Sequence, residues 1–349
     1  ILLRTAHMGL LSFKPKQIAK RLLSPVSDRT RDVLILRFGL SGDEGKTLDA
    51  IGKQYGVTRE RVRQIETFGL SAIKKSEAFA EEASAFSDLE KAVVGLGGVV
   101  SEDDLLEAFA KDPHTRNHIL FFLTLGDSFV RAKEDDQFKH RWFTDKNVAG
   151  QVEESLKKLY GELSDEDLIA EPDLVARFLD HLKDVADHYK NEEIARRWLN
   201  ISKRIGRNPL GEWGIADSPN VRARGVRDYA FLVIRRHGNP MHFTEVARAI
   251  EKTFSKQAHT ATCHNELIKD PRFVLVGRGL YALHDWGYTS GVVRDVIREV
   301  LKKHGPLTKD EITDRVLKER YVKQNTILVN LQNGKHFKKD KSGRYSPAS

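Results

Sequence analysis

The sequence is poor in cysteine and in long apolar runs. Its single cysteine, Cys263, excludes an internal disulfide and fits a reducing compartment. The apolar run at residues 119–125 falls far short of the roughly 20 residues that span a bilayer, and no secretory signal pattern is present. The chain begins at Ile1, so residues can be missing upstream, and Met8 is a plausible initiator. We expect a cytoplasmic protein that does not contact a membrane.

The sequence also lacks the residue patterns that carry catalysis or metal binding. His259, Cys263 and His264 are close in sequence, but zinc needs a fourth ligand, and its usual CxxC or HxxxH pairs are absent nearby. The glycine-rich stretches at Gly95 and Gly277 lack the strand-glycine-helix context of a phosphate loop and are typical of turns. We find no nucleophile, base and oxyanion arrangement. We therefore predict no enzymatic activity, no cofactor, no metal and no small-molecule substrate.

Charge is distributed unevenly along this chain, whose net charge is +8. Lys and Arg outnumber Asp and Glu by 15 to 7 in residues 1–76, by 5 to 2 in residues 201–225 and by 23 to 13 in residues 226–349. Residues 77–200 are acidic, with 15 cations against 28 anions. Basic segments favour nucleic-acid phosphates through counterion release, whereas an acidic segment repels a duplex. The two basic ends are therefore candidates for nucleic-acid binding, and the middle for protein contact.

Residues 47–66, TLDAIGKQYGVTRERVRQIE, have the pattern of a helix-turn-helix. Apolar residues spaced by three or four mark one face of a first helix, and Gly52 lets a second helix cross closely. Gly56 relaxes the backbone at the turn. Thr58 is a good N-cap for the second helix, and Val62 continues the buried stripe.

The opposite face of the second helix carries residue types that contact bases in the major groove. The i, i+4 spacing places Arg59 beside Arg63 and Glu60 beside Gln64. Arg can bond two acceptors of guanine, Glu can accept from the cytosine amino group, and Gln can pair with adenine. The alternative is a solvated helix face, which is the usual role of a charged run. We predict that these four residues contact bases.

The longer run from Arg31 to Glu66, RDVLILRFGLSGDEGKTLDAIGKQYGVTRERVRQIE, closely resembles region 4 of the sigma-70 family of bacterial initiation factors. In that family this module binds the minus-35 promoter element and packs on the flap of the RNA polymerase beta subunit. The resemblance implies two partners, double-stranded promoter DNA and the polymerase core, and a place at the bacterial nucleoid. It also puts the four residues named above at base-facing positions.

Other residues are candidates for phosphate contact. The Thr58 hydroxyl, with the first backbone amides of its helix, suits a phosphate, and Arg61 is a further partner. Lys338 and Lys339 belong to the lysine-rich stretch HFKKDKSGRYS near the C-terminus, which either grips phosphate or is an ordinary basic tail. Arg278, at the tip of a predicted hairpin, is a weaker candidate of the same kind.

Several segments have the order of three helices and a hairpin that defines a winged helix. In residues 86–147 the second helix is capped by Ser101, with Asp104 at the reciprocal capping-box position. The third helix, from about His114 to Leu125, is so apolar that we predict a core helix rather than one that contacts a groove. Residues 148–225 are a helical acidic segment and a linker, with a further degenerate winged helix as the open alternative.

An internal repeat organises the C-terminal part of the chain. VRDYAFLVIRRHGNP at Val226 recurs as VRDVIREVLKKHGP at Val293, an offset of 67 residues. We expect Thr244 to cap the second helix of the first copy and Thr308 to form a capping box with Glu311 in the second. The first copy also carries GRGLYAL and resembles the HARE-HTH winged helix, a family thought to contact DNA or the transcription machinery; the second copy matches more loosely.

These observations predict a mainly α fold, a sigma region-4-like helix-turn-helix followed by an array of winged helices. The predicted segments are a basic helix at 1–26, the helix-turn-helix at 27–76, an acidic winged helix at 86–147, the segment at 148–225, and two winged helices at 226–288 and 289–349. We expect sequence-specific DNA binding in bacterial transcription, through the helix from Thr58 to Lys75. The alternative is a polymerase-associated, delta-like interaction protein that does not recognise DNA sequence.

A complete sigma factor also carries an aromatic-rich region that recognises and melts the minus-10 element, and nothing before Ser27 resembles it. If the chain is nearly complete, we expect an accessory or regulatory factor. If it is a fragment, we expect the C-terminal part of a sigma factor with appended HARE-type domains.

Overall fold

Short helices joined by tight turns build most of the chain. The structure is a computed structural model, and it describes residues 13–182, 189–289 and 291–348. The described residues divide into two units, the first running to Gly206 and including Trp213–Ala216, the second comprising Arg207–Glu212 and the residues from Asp217 onward. Within the described residues, no helix is long and apolar enough to cross a membrane.

The first unit begins with the helix-turn-helix. Its helices are α1 (Pro15–Leu22), α2 (Asp28–Phe38), α3 (Leu48–Tyr55) and α4 (Arg59–Lys74), followed by α5 (Glu77–Glu81) and α6 (Ala83–Gly95). Val33, Ile51 and Val62 form a small core between α2, α3 and α4, with the aliphatic and aromatic residues of the same helices packed around it. The apolar spacing of the sequence is therefore used to join three helices around one centre.

A winged helix follows. Its elements are β1 (Val99–Ser101), α7 (Glu102–Phe109), α8 (Pro113–Leu125), β2 (Val130–Ala132) and β3 (Arg141–Phe143), and β3 lies between β1 and β2 in an antiparallel sheet. The Ser101 hydroxyl accepts from the Asp104 amide at 3.2 Å, as predicted. One outer oxygen of the Asp104 carboxylate is buried without a hydrogen-bond partner, so the predicted capping box has only its serine half.

Helix α8 is buried, as its composition predicts, and it packs on the helix-turn-helix. Ile119, Phe121, Phe122, Leu123 and Leu125 are each at most 2% exposed. One hydrophobic core runs from α1 and α2 through Ile73 of α4 to α8. The helix-turn-helix and this winged helix therefore share a core.

The rest of the first unit has the same element order. Helices α9 (Lys146–Glu162), α10 (Glu171–His181) and α11 (Glu192–Leu199) precede the hairpin strands β4 (Ile205–Arg207) and β5 (Trp213–Ile215). The core is built around Trp198, whose ring meets the ring of Phe178 edge to face at 6.4 Å. An isolated bridge joins Ile169, before α10, to Trp213 in the hairpin.

The second unit contains the repeat, and its two copies have the same elements. The first comprises α12 (Val226–His237), β6 (Met241–His242), α13 (Phe243–Phe254), α14 (Thr260–Lys269), β7 (Phe273–Gly277) and β8 (Leu280–Leu283). The second comprises α15 (Val293–His304), β9 (Leu307–Thr308), α16 (Lys309–Glu319), α17 (Gln324–Leu331), β10 (Phe337–Lys339) and β11 (Arg344–Pro347). In each copy the last strand lies between the other two.

The capping predictions for these copies differ in outcome. Thr308 and Glu311 form the predicted box, with the Thr308 amide donating to the carboxylate at 2.8 Å and the Glu311 amide donating to the hydroxyl at 3.3 Å. The prediction for Thr244 was wrong. Helix α13 begins one residue earlier, at Phe243, and its N-cap is His242, whose backbone amide donates to Glu245 at 3.1 Å.

Candidate nucleic-acid interface

The turn between α3 and α4 is fixed by local contacts. The Thr47 hydroxyl accepts from the Ala50 amide, and the Thr58 hydroxyl from the Arg61 amide, each at 3.2 Å. Gly56 ends α3 in the left-handed region, with φ of 63°. A Cβ atom on Gly52 would lie 2.6 Å from the carbonyl oxygen of Val57, so only glycine allows α4 to start this close to α3. The predicted roles of these positions are confirmed.

Helix α4 has one buried and one exposed face. Val62, Gly69 and Ile73 are buried against the rest of the unit. The five polar side chains of the first two turns are all exposed, namely Arg59, Glu60, Arg61, Arg63 and Gln64. The N-terminal half of α4 therefore presents a continuous polar surface that no other part of the described chain covers.

The side chains on this surface pair with an i, i+3 spacing. Arg63 donates through Nε and Nη2 to both carboxylate oxygens of Glu60, at 2.9 and 2.7 Å. Arg61 Nη1 donates to Gln64 Oε1 at 3.1 Å. The sequence spacing predicted Arg59 beside Arg63 and Glu60 beside Gln64, whereas charge complementarity pairs each long side chain with the opposite partner one position nearer. In this arrangement Arg61 belongs to the same polar surface as the predicted base-contacting residues.

The pair between Arg63 and Glu60 changes the protonation of both groups in the same sense. The hydrogen bond from Arg63 holds the pKa of Glu60 below its ordinary value, and the hydrogen bond to Glu60 raises the pKa of Arg63. Both side chains are more than half exposed, at 59% and 57%, so the pair is screened and contributes little to stability. Arg59 has no ion pair among the residues that the structure describes.

Two contacts that the sequence did not indicate fix the direction of α4. Arg37 of α2 donates through Nε to Glu66 at 3.2 Å and through Nη1 to the carbonyl of Lys46 at 3.1 Å. A Cβ atom on Gly69 would lie 2.6 Å from the Thr30 methyl group. A glycine inside a helical pattern is a signal of close approach and could have identified this position. The partner of Glu66 lies 29 residues away, so no local pattern could have found it.

The predicted phosphate-contacting residues of the second unit lie on its two hairpins. Lys338 and Lys339 are exposed in β10, and Lys339 lies over the ring of Tyr345 with Nζ 5.7 Å from the centroid. Arg278 is exposed at the turn between β7 and β8, beside Gly279 with φ of 71°. All three side chains are accessible to a ligand.

The His and Cys residues of α14 serve packing. Cys263 is fully buried, and burial raises the pKa of its thiol to about 11. The ring of His264 stacks on Phe243, with centroids 4.3 Å apart. Among residues 13–182, 189–289 and 291–348, no group of three or more His, Cys, Asp or Glu side chains is arranged to hold a metal ion.

The geometry defines a helix-turn-helix with an exposed polar second helix, in a chain of winged helices. Comparison with known proteins gives the families. Residues 22–75 match the family model of sigma-70 region 4, and residues 225–286 match that of HARE-HTH, the helix-turn-helix domain of ASXL and restriction endonuclease proteins. Both resemblances inferred from the sequence, and the mainly α fold class, are confirmed.

One curated relative shows the extent of the likeness. The RNA polymerase sigma factor RpoS of Coxiella burnetii (strain RSA 493 / Nine Mile phase I) is 49% identical to this chain over 55 residues. The aligned part is 16% of this chain and 16% of that protein. The likeness therefore concerns the region-4 segment, and each remaining part of the chain has to be argued from its own residues.

Proposed function

We propose that this chain is a sigma-like, sequence-specific DNA-binding factor of bacterial transcription, which inserts α4 into the major groove of a minus-35-type promoter element. The observation that carries the proposal is the division of α4 into two faces. Its apolar stripe is consumed by packing on α2 and α3, while five long polar side chains at its N-terminal end remain exposed. A helix of this kind, placed by a fixed turn, suits the groove of a duplex.

The roles within α4 follow from side-chain chemistry. Arg59 and Arg63 would bond guanine, Glu60 would accept from cytosine, and Gln64 would pair with adenine. Thr58 and the first backbone amides lie at the positive end of the helix dipole, which favours a phosphate. Arg61 would contact a phosphate after releasing Gln64, and Lys338, Lys339 and Arg278 are further phosphate candidates.

The proposed protein partner is the bacterial RNA polymerase core, through the flap of its beta subunit. The support is the match of residues 22–75 to sigma-70 region 4 and the name of the relative, an RNA polymerase sigma factor. The proposed role is in transcription initiation or its regulation.

The test is equilibrium binding of the purified chain to a duplex with a TTGACA-type element and to a scrambled duplex, each at two salt concentrations. The test variant is Arg59→Ala/Arg63→Ala. Lys91→Ala/Lys157→Ala is the matched control, because it removes two exposed cations that are also in i, i+3 pairs, with Asp88 and Glu154. A preference for the TTGACA-type duplex that disappears in the test variant and persists in the control supports the proposal. Equal, steeply salt-dependent binding to both duplexes would reject it.

The second candidate is a delta-like interaction protein that contacts polymerase without recognising DNA sequence. The observation that favours it is the burial of α8, because the third helix of that winged helix has its apolar residues inside the shared core. The surrounding segment is also acidic. If the duplexes are bound equally, pull-down of polymerase core by the full chain, with Arg59→Ala/Arg63→Ala as a variant that should bind equally well, tests this alternative.

A further inference from the structure

The two copies in the second unit differ in charge in the part that follows the second helix. In the second copy, residues 321–349 contain six Lys and Arg against one Asp, a net charge of +5. In the first copy, the corresponding residues 255–286 contain four cations against three anions, a net charge of +1. Counterion release scales with the number of phosphates neutralised, so the second copy has the larger electrostatic capacity for a duplex.

The third helix of the second copy, α17, is free of acidic residues. Its buried side is Ile327 and Leu331. Its exposed positions carry amide, hydroxyl and methyl groups, namely Gln324, Asn325, Thr326 and Val329, the last 66% exposed. Amides pair with adenine, hydroxyls bond either donors or acceptors, and methyl groups contact the thymine methyl. This surface has the chemistry of base edges without a charge that repels the backbone.

The adjacent hairpin leaves its cations available. Phe337 points into the core at 2% exposure, so the alternation of the strand turns Lys338 outward. Lys338 and Lys341 have no carboxylate partner within the described part of the chain. The Asp340 carboxylate accepts from the Ser342 hydroxyl at 2.7 Å and from the Arg344 amide at 2.9 Å. The acidic residue of this region therefore stabilises the turn and neutralises none of the lysines.

In the first copy, by contrast, the hairpin is used for packing. The Arg320 guanidinium donates to the carbonyl of Leu275 in β7, and the Tyr321 amide donates to the carbonyl of Val276 at 2.8 Å. Its third helix, α14, carries Glu266 and ends in the exposed apolar residue Ile268. The first copy therefore holds the second copy through the strand that a free wing would present to a ligand.

We infer that α17 and the β10–β11 hairpin of the second copy form a second duplex-DNA-binding surface, with α17 in the major groove and Lys338 and Lys341 on flanking phosphates. This surface shares no residue with α4. It therefore goes beyond the proposed promoter contact and can hold whether or not α4 recognises a minus-35 element.

The test uses the full chain carrying Arg59→Ala/Arg63→Ala, so that α4 contributes as little as possible, and a duplex of mixed sequence. Lys338→Ala/Lys341→Ala is compared with Lys302→Ala/Lys303→Ala, which removes two exposed lysines from α15 in the same copy. Loss of two phosphate contacts lowers the slope of log K against log salt by about 1.8, so the ratio of Kd values between about 50 and 200 mM salt falls about tenfold. The control should retain its slope.

A second variant, Gln324→Ala/Asn325→Ala, separates groove contact from a sticky basic tail. Weaker binding with an unchanged salt slope is expected, because amides contact bases and carry no charge. If this variant binds like its parent, or if the lysine pair has the same slope as the α15 control, the inferred surface is rejected. Thermal unfolding of each variant verifies that the fold is intact. Failure of the proposed α4 contact would appear separately, as an absent TTGACA preference in the chain with α4 unchanged.

Discussion

Arg63 holds Glu60 in a two-point ion pair on the exposed face of α4, with N···O distances of 2.7 and 2.9 Å. The pair fixes the orientation of the guanidinium in the DNA-free chain, and its exposure makes it weak enough to open against a base. Two candidate base-contacting residues are therefore coupled, so that a change in either one alters the other.

We predict that Glu60→Gln reduces discrimination between a TTGACA-type and a scrambled duplex by about 1–3 kcal/mol, because the variant loses the acceptor for cytosine and frees Arg63 for other contacts. Binding to the scrambled duplex should strengthen, since a negative charge is removed. Asp49→Asn in α3 is the control, because it removes an equal charge that pairs with Lys53 at 2.9 Å. Fluorescence anisotropy with both duplexes measures the ratio, and an unchanged ratio in Glu60→Gln would contradict the prediction.

Gly69→Ala tests the packing that directs α4. Alanine is favoured over glycine inside a helix by about 1 kcal/mol. Here the new Cβ would lie 2.6 Å from the Thr30 methyl group and 3.1 Å from Leu34 Cδ1, and overpacking of this kind costs about 1–3 kcal/mol. We expect a net loss in the free energy of unfolding, measured by urea titration, and weaker binding to the TTGACA-type duplex.

Gly161→Ala in α9 is the control for this substitution. A Cβ atom added to Gly161 would meet no tertiary neighbour within 4 Å, so the intrinsic gain should appear alone, as an increase of up to about 1 kcal/mol. If Gly69→Ala is as stable as Gly161→Ala, the contact between α4 and α2 does not constrain the helix.

The local features of the site could be predicted from the sequence, and the tertiary ones could not. Thr58, Gly56 and Gly52 act within a few residues, so their patterns identify the turn, and the predicted helix from Thr58 to Lys75 agrees with α4 and its two caps. The link between Arg37 and Glu66 depends on how α2 crosses α4. The cap of α13 was wrong because the imidazole of His242, bonded to Thr244 Oγ1 at 2.7 Å, takes the position expected for a threonine.

A second group of charges that sequence could not reveal surrounds Arg272 in the first winged-helix copy of the second unit. Its guanidinium donates to Asp228 at 2.9 Å and to Asp270 at 2.6 Å, and both carboxylates are less than 10% exposed. Burial acts to raise the pKa of Asp270, but the hydrogen bonds from Arg272 outweigh it, and the pKa is lowered. A carboxylate with a lowered pKa stabilises the fold above its ordinary pKa, and this contribution is lost as the pH falls through the lowered value.

We predict that Arg272→Met lowers the free energy of unfolding at neutral pH by about 3–5 kcal/mol, because two buried carboxylates lose their cation. Acid unfolding should also begin at a higher pH, since burial alone then raises the pKa of Asp270. Urea titrations from neutral to acidic pH measure both effects. Arg278→Met, at the exposed tip of the same hairpin, should behave like the parent chain, and equal behaviour of the two variants would exclude a stabilising role for the Arg272 cluster.

The connection between the two copies of the repeat depends on Arg320. Its guanidinium, with the whole residue 3% exposed, donates to the carbonyls of Leu275, Thr289 and Gly291, the last two at 2.6 and 2.7 Å. Hydrogen bonds to a charged group contribute roughly 1.5–3 kcal/mol each, so Arg320→Met should lower the free energy of unfolding by about 3 kcal/mol. Arg320→Lys should recover only part of this, because an ammonium group cannot present a planar fork of donors to separate acceptors.

Arg315→Met, on the exposed side of α16, is the matched control for Arg320→Met and should leave unfolding unchanged. Hydrogen exchange gives the more specific measurement. The Tyr321 amide, which donates to the Val276 carbonyl at 2.8 Å, should exchange faster in Arg320→Met, because the guanidinium no longer holds the segment against β7. If protection at Tyr321 persists, backbone pairing alone joins the copies, and the position of α17 relative to the first copy would not depend on the arginine.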